Sequence, residues 1–138
     1  MFLDELIRQP DLSWHLVNQR TDQTLATRVL TAFDSRSRKK GLLGRAALES
    51  GSALIIAPCN GIHTWFMRFA IDVVFVTKTG QILKVQHALR PWRLAWATRA
   101  FAAIELPAGI AAGLDTVPGD RLALTRGSGP IPGRENSA

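Results

Sequence analysis

Histidine, arginine and aspartate stand inside the otherwise apolar run Gly61–Val76, Gly-Ile-His-Thr-Trp-Phe-Met-Arg-Phe-Ala-Ile-Asp-Val-Val-Phe-Val. Ionisable groups in such surroundings cost free energy unless they are paired or put to use, so a site is expected here. With His87, which follows in the next apolar run, His63 and Asp72 make the first set able to do chemistry. Two imidazoles and a carboxylate can ligate zinc or iron, or move a proton in a hydrolase. The spacing speaks against a metal, because neither HxH nor HExxH occurs and Asp72 falls on a different strand from either histidine. A hydrogen-bonded polar cluster that fixes strand register is the preferred reading. Asp72 alone is expected to accept backbone N–H groups from a neighbouring loop, or to pair with Arg68 or Arg45. No metal and no cofactor is expected.

Cys59, four residues before His63, has the makings of a nucleophile beside a base. That chemistry needs a depressed thiol pKa and an oxyanion donor, whereas cysteine is also a common buried residue. As the only cysteine it permits no intramolecular disulfide and no cysteine-rich zinc site, and it fits a reducing compartment. Trp65, Trp92 and Trp96 with Arg90 and Arg93 could line a pocket in which rings stack a ligand and guanidinium groups hold an anion. The competing reading makes the tryptophans core and the arginines its solvated rim; Trp65, in a strand, is expected in the core. The candidate ligand-binding set is therefore His63, Trp65, Met67, Asp72, His87, Arg90, Trp92 and Arg93.

The formal net charge is +6 and the sequence pI about 10.7. Arg36, Arg38, Lys39, Lys40 and Arg45 form one acid-free cluster. A second acid-free stretch, between Asp72 and Glu105, holds Lys78, Lys84, Arg90, Arg93 and Arg99. Such clusters can bind nucleic acid or an anionic ligand. No nucleic-acid module accompanies them, so a solvated basic face is preferred.

Many short strands must position these residues. Residues 1–12 read as a short helical or loose lead-in. Trp14–Arg20 and Leu25–Phe33 read as strands around a turn at Thr21-Asp22-Gln23-Thr24. Asp34 or Ser35 can cap a short helix through the basic cluster, which Gly41 and Gly44 would end. Ala53–Ala57 is a buried strand stopped by Pro58. A strand over Ile62–Phe69 would put His63, Trp65, Met67 and Phe69 on one face. Ile71–Val76 and Ile82–His87 make the clearest hairpin, with His87 on the face of Leu83 and Val85. Ala88–Arg99 is a long connection, followed by a strand over Ala102–Leu106, a helix over Ala108–Ala112 opened by Pro107, and a last strand over Arg121–Thr125. The rhythm predicts one mainly β domain over residues 13–126, a sandwich or partly closed barrel of short antiparallel strands with two short helices. Residues 127–138, rich in Gly, Pro and Ser, are expected to be a disordered tail. The acidic N-terminus is not a signal peptide and no apolar run approaches bilayer-spanning length, so the protein is expected in the cytoplasm without a membrane partner.

In motif order the chain resembles the family of the domain of unknown function 192 (DUF192), an uncharacterised family. The resemblance rests on Arg38-Lys-Lys-Gly-Leu-Leu-Gly-Arg45, His63-Thr-Trp-Phe-Met-Arg68, Ile71-Asp-Val-Val-Phe75, Thr79-Gly80, Leu89-Arg-Pro-Trp92, Glu105-Leu-Pro-Ala-Gly109 and Gly119-Asp120. It covers about residues 25–126, with Gly41-Leu42-Leu43 where the family usually shows Gly-Leu-Met. The resemblance implies a small sandwich-like β domain and no established activity. Three functions follow, in order of preference. The first is a domain binding a small or anionic ligand near His63, Asp72 and the loop over 88–99. The second is a nucleic-acid-binding or regulatory protein using the basic clusters over 36–45 and 78–99. The third is a hydrolase or metal enzyme centred on His63, Asp72 and His87.

Overall fold

Three strands of the chain are mostly apolar and buried at nearly every position, which marks burial on both faces rather than the one-sided alternation of a solvated sheet. They are β4 (Ser52–Ile56), β6 (Ile71–Val76) and β9 (Ala102–Pro107), and they form the centre of a five-stranded sheet. The computed structural model describes residues 1–42, 45 and 47–127.

In chain order the elements are α1 (Asp4–Arg8), β1 (Trp14–Asn18), β2 (Gln23–Ala26), β3 (Arg28–Ala32), α2 (Ser35–Lys40), β4, β5 (Gly61–His63), β6, β7 (Ile82–Leu89), β8 (Leu94–Trp96), β9, α3 (Ile110–Gly113) and β10 (Leu122–Arg126). The central sheet runs β3-β4-β9-β6-β7, with a three-stranded sheet β10-β1-β2 and a two-stranded ribbon β5-β8 beside it. Every pairing is antiparallel except β3 with β4, which is parallel. The fold is thus mainly β and sandwich-like, and the described strands close no barrel.

Alternation along the central strands divides their side chains between two cores. Ala53, Ile55, Val74, Val76, Ala102, Ile104 and Leu106 face the first, with Leu16, Leu25 and Leu122 of the three-stranded sheet. Leu54, Ile56, Ile71, Val73, Phe75 and Ala103 face the second, covered by Leu42 after α2 and by Ile62 and Ala95 of the ribbon. At about 25 cal/mol per Å² of apolar surface, these two layers supply the main driving force for folding.

Several expected elements change on inspection. The single strand over Leu25–Phe33 is two, β2 and β3, in different sheets. The strand over Ile62–Phe69 stops at His63, because Thr64 leaves the ladder to hold the next turn. The connection over Ala88–Arg99 is shorter than expected, since β7 runs to Leu89 and Leu94–Trp96 pairs with β5. Three helices stand where two were expected. Asp34 does cap α2, its Oδ1 accepting the Ser37 N–H at 2.7 Å. Gly44 and the expected tail from residue 128 onward lie outside the described residues.

Two polar clusters lock the frame. Asn18 at the end of β1 donates to Asp120 Oδ2 at 2.9 Å and to Thr116, and Arg20 Nε donates to Asp120 Oδ1 at 2.5 Å. These bonds, the Arg20 bond first, hold the Asp120 carboxyl down at about 2. Gly80, at φ +85°, lets the β6–β7 turn approach β10: a Cβ there would lie 2.3 Å from the Leu122 carbonyl oxygen.

Candidate functional site

Glu105 sits in the middle of β9, its Cα opposite Leu54 on one side and Val73 on the other. It shares a face with Ala103, so its side chain points from the central sheet toward the second core rather than to water. Only 4 % of the residue is exposed, and among the described residues its Oε2 has no hydrogen-bond partner. A buried carboxylate without partners is costly. Burial accordingly raises the Glu105 carboxyl from its ordinary 4.5 to about 7. A carboxyl raised this far can keep its proton near neutral pH, and it can then donate as well as accept a hydrogen bond.

The side chain is not enclosed by core alone. It lines a cleft of about 510 Å³ between α2 and the ribbon. One wall is Arg38, Lys39 and Lys40 from α2; the other is His63, Trp65 and Met67 with Cys59 and Asn60. The His63 and Trp65 rings are stacked, with centroids 4.8 Å apart. Ile56, Ile62 and Leu42 add apolar lining. The cleft therefore has a cationic rim, a stacked aromatic wall and one buried acid at its floor.

Local structure explains each placement. The Asp34 cap starts α2, and Arg38 is steadied by donating from its guanidinium to the Phe33 carbonyl at 2.9 Å. The backbone N–H of Cys59 donates to the Phe101 carbonyl, and its thiol to the Gly61 carbonyl at 3.1 Å. Burial raises the Cys59 thiol, the opposite of what nucleophilic catalysis requires. Thr64, fully buried, receives the Arg93 N–H on Oγ1 at 2.9 Å and donates to the Arg90 carbonyl at 2.6 Å, tying the turn after β5 to the turn after β7.

The expected constellation of His63, Asp72 and His87 does not form. Asp72 accepts backbone N–H groups from Ala88 at 2.8 Å, Gly109 at 3.1 Å and Ala111 at 3.0 Å. It joins β6 to β7 and serves the first turn of α3, on the face of the first core. His87 alternates with Val85, which packs on that same core, whereas His63 projects from the ribbon that covers the second. The two histidines thus lie on opposite sides of the central sheet. Among the described residues no three His, Cys, Asp or Glu side chains are grouped to hold a metal.

Of the candidate ligand set, His63, Trp65 and Met67 line the cleft; Asp72, His87, Arg90, Trp92 and Arg93 do not. Trp65 is exposed rather than core, because β5 ends before it. Of the candidate nucleic-acid set, Arg38, Lys39 and Lys40 line the same cleft, Arg45 lines a smaller neighbouring one with Lys40, and Arg36 lines neither. Glu105 was missed. Its signal was an acid within the apolar run Phe101–Leu106, the same argument that drew attention to Asp72.

A family model described as "Uncharacterized ACR, COG1430" (DUF192) matches residues 16–124. No curated protein matches the chain. Among solved structures the chain is similar to a protein of unknown function from Novosphingobium aromaticivorans DSM 12444, at 19 % identity and a TM-score of 0.69, over 80 % of this chain and 82 % of that one. It is also similar to a protein from Sinorhizobium meliloti 1021 described as a candidate transcription regulator, at 20 % identity and a TM-score of 0.69, over 80 % and 91 % of the two chains. At these identities the likeness establishes the fold alone.

Proposed function

The chain belongs to the DUF192 family, and we propose that it is a binding module whose cleft between α2 and the β5–β8 ribbon takes a small anionic ligand. The observation that carries this reading is Glu105, a buried carboxyl that lines the cleft and whose Oε2 has no hydrogen-bond partner among the described residues. A ligand hydroxyl or amino group can supply the missing partner. The anionic end of the same ligand meets Arg38, Lys39 and Lys40, and a ring or sugar face rests on Trp65. A phosphorylated sugar or a nucleotide has all three features. The basic cluster on α2 serves this reading better than a nucleic-acid one, because its residues form the wall of a concave site of small-molecule size.

Calorimetric titration with sugar phosphates and mononucleotides, each beside its unphosphorylated counterpart, tests the proposal. Phosphorylated compounds are expected to bind, and Lys39→Glu with Lys40→Glu to weaken them roughly tenfold or more, the scale of a lost charge-assisted contact. Absence of binding across the panel, or equal binding of the uncharged counterparts, would falsify it.

A further inference from the structure

Five of the nine large hydrophobic residues left exposed among the described residues belong to one small region. Trp65 and Phe66 form the turn after β5, Trp92 the turn after β7, and Leu94 and Trp96 the outer face of β8. Phe66 is 68 % exposed and Trp96 60 %. The ribbon's inner face, Ile62 and Ala95, is buried in the second core, so its outer face has no covering layer. Single exposed apolar residues are ordinary, but a contiguous aromatic patch of this kind marks an interaction surface.

The backbone holds these rings outward at a cost. Phe66 and Trp92 have φ of +66° and +65°, a region that bulky residues avoid. Their rings pack on each other with centroids 4.7 Å apart, and the two turns are pinned together through Thr64. Core packing does not explain the strain, since both side chains stand mostly in water.

Charge narrows the partner. Arg68, Arg90 and Arg93 lie within two residues of Phe66 or Trp92 in the chain, Lys84 contacts Trp96, and no acid occurs between Asp72 and Glu105. Lys84 Nζ donates to the Trp96 carbonyl and lies 5.6 Å over its ring. A second copy of the chain would set like charges against like in a two-fold contact. Threading a single strand needs successive open ring faces, yet Phe66 packs against Trp92 and Trp96 carries Lys84. Aromatic and aliphatic side chains at turn tips, with arginine and lysine beside them, suit the headgroup layer of an acidic bilayer.

We infer that the outer face of the β5–β8 ribbon, with Phe66 and Trp92 at its tips, docks on anionic lipid membranes. The sequence-based expectation of no membrane partner rested on the lack of a spanning run, and no helix among the described residues is long and apolar enough to cross a bilayer. Surface docking requires none.

Co-sedimentation of the full chain with vesicles of phosphatidylcholine, alone or mixed with phosphatidylglycerol, tests this. Its tryptophan emission, three of the four indoles being exposed in this region, should shift to the blue on binding. Binding is expected to the mixed vesicles and to fall as salt rises. Phe66→Gly with Trp92→Gly should lower partition roughly tenfold or more by removing apolar area. The same change should leave the thermal midpoint unchanged or raised, because glycine accepts positive φ without strain. Arg90→Gln with Arg93→Gln, which keeps the rings, should weaken binding to mixed vesicles only. No binding to mixed vesicles overturns the inference. Binding to an oligothymidine instead of vesicles, or self-association lost in the double glycine variant, overturns it in favour of those partners.

Discussion

Replacing Glu105 by glutamine should change how stability depends on pH, and the size of the change follows from the site. The folded carboxyl titrates at about 7 against an ordinary 4.5, because burial disfavours its charged form. Between those values the native chain holds a proton that the unfolded chain has released, so stability falls as pH rises through this window and levels off above about pH 7. At about 1.4 kcal/mol per pH unit, the gap corresponds to about 3 kcal/mol. Glutamine is neutral throughout and has the same shape. Its unpaired amide can cost stability at every pH, so the diagnostic quantity is the change in the difference between the two proteins. Urea unfolding followed by tryptophan fluorescence, from about pH 4 to about pH 8, should show that difference moving by about 3 kcal/mol in favour of Glu105→Gln. Groups common to both chains cancel. Parallel pH profiles would refute the reasoning, since they would mean that Glu105 meets either a partner or water.

Asp72→Ala should destabilise the fold by about 3 kcal/mol or more, since three backbone N–H groups lose a buried acceptor; chemical denaturation measures it, and ligand affinity of the remaining folded protein should be unaltered. Gly80→Ala should prevent folding or lower the thermal midpoint sharply, because its Cβ would strike the Leu122 carbonyl at a positive φ; a wild-type midpoint would show that the turn can move away from β10. The Asp120 carboxyl is lowered chiefly by Arg20, so its contribution is present above its ordinary 3.8 and lost as pH falls toward about 2; Asp120→Asn should erase that acid-limb loss in a denaturation series.

Much of the frame was legible from residue order. The apolar runs at 53–57, 71–76 and 102–106 predict buried strands, and Asp34 before Ser-Arg-Ser-Arg predicts a capped helix, because hydrophobic period and capping are local properties. Motif order likewise pointed to the family. Other features depended on which elements meet. Whether His63, Asp72 and His87 converge depends on which face of a shared sheet each side chain takes, and a ribbon that ends at His63 plus a bulge before Leu89 are decided by tertiary pairing. Residues set apart in the sequence as two rival sites, Arg38–Lys40 and His63–Met67, came to line one cleft because Leu42, just after α2, and the ribbon both cover the second core. Glu105 stood in plain view as an acid among apolar neighbours. Only the packed structure shows that its Oε2 finds no partner among the described residues, because hydrogen-bond satisfaction belongs to the surroundings of a group and not to its place in the chain.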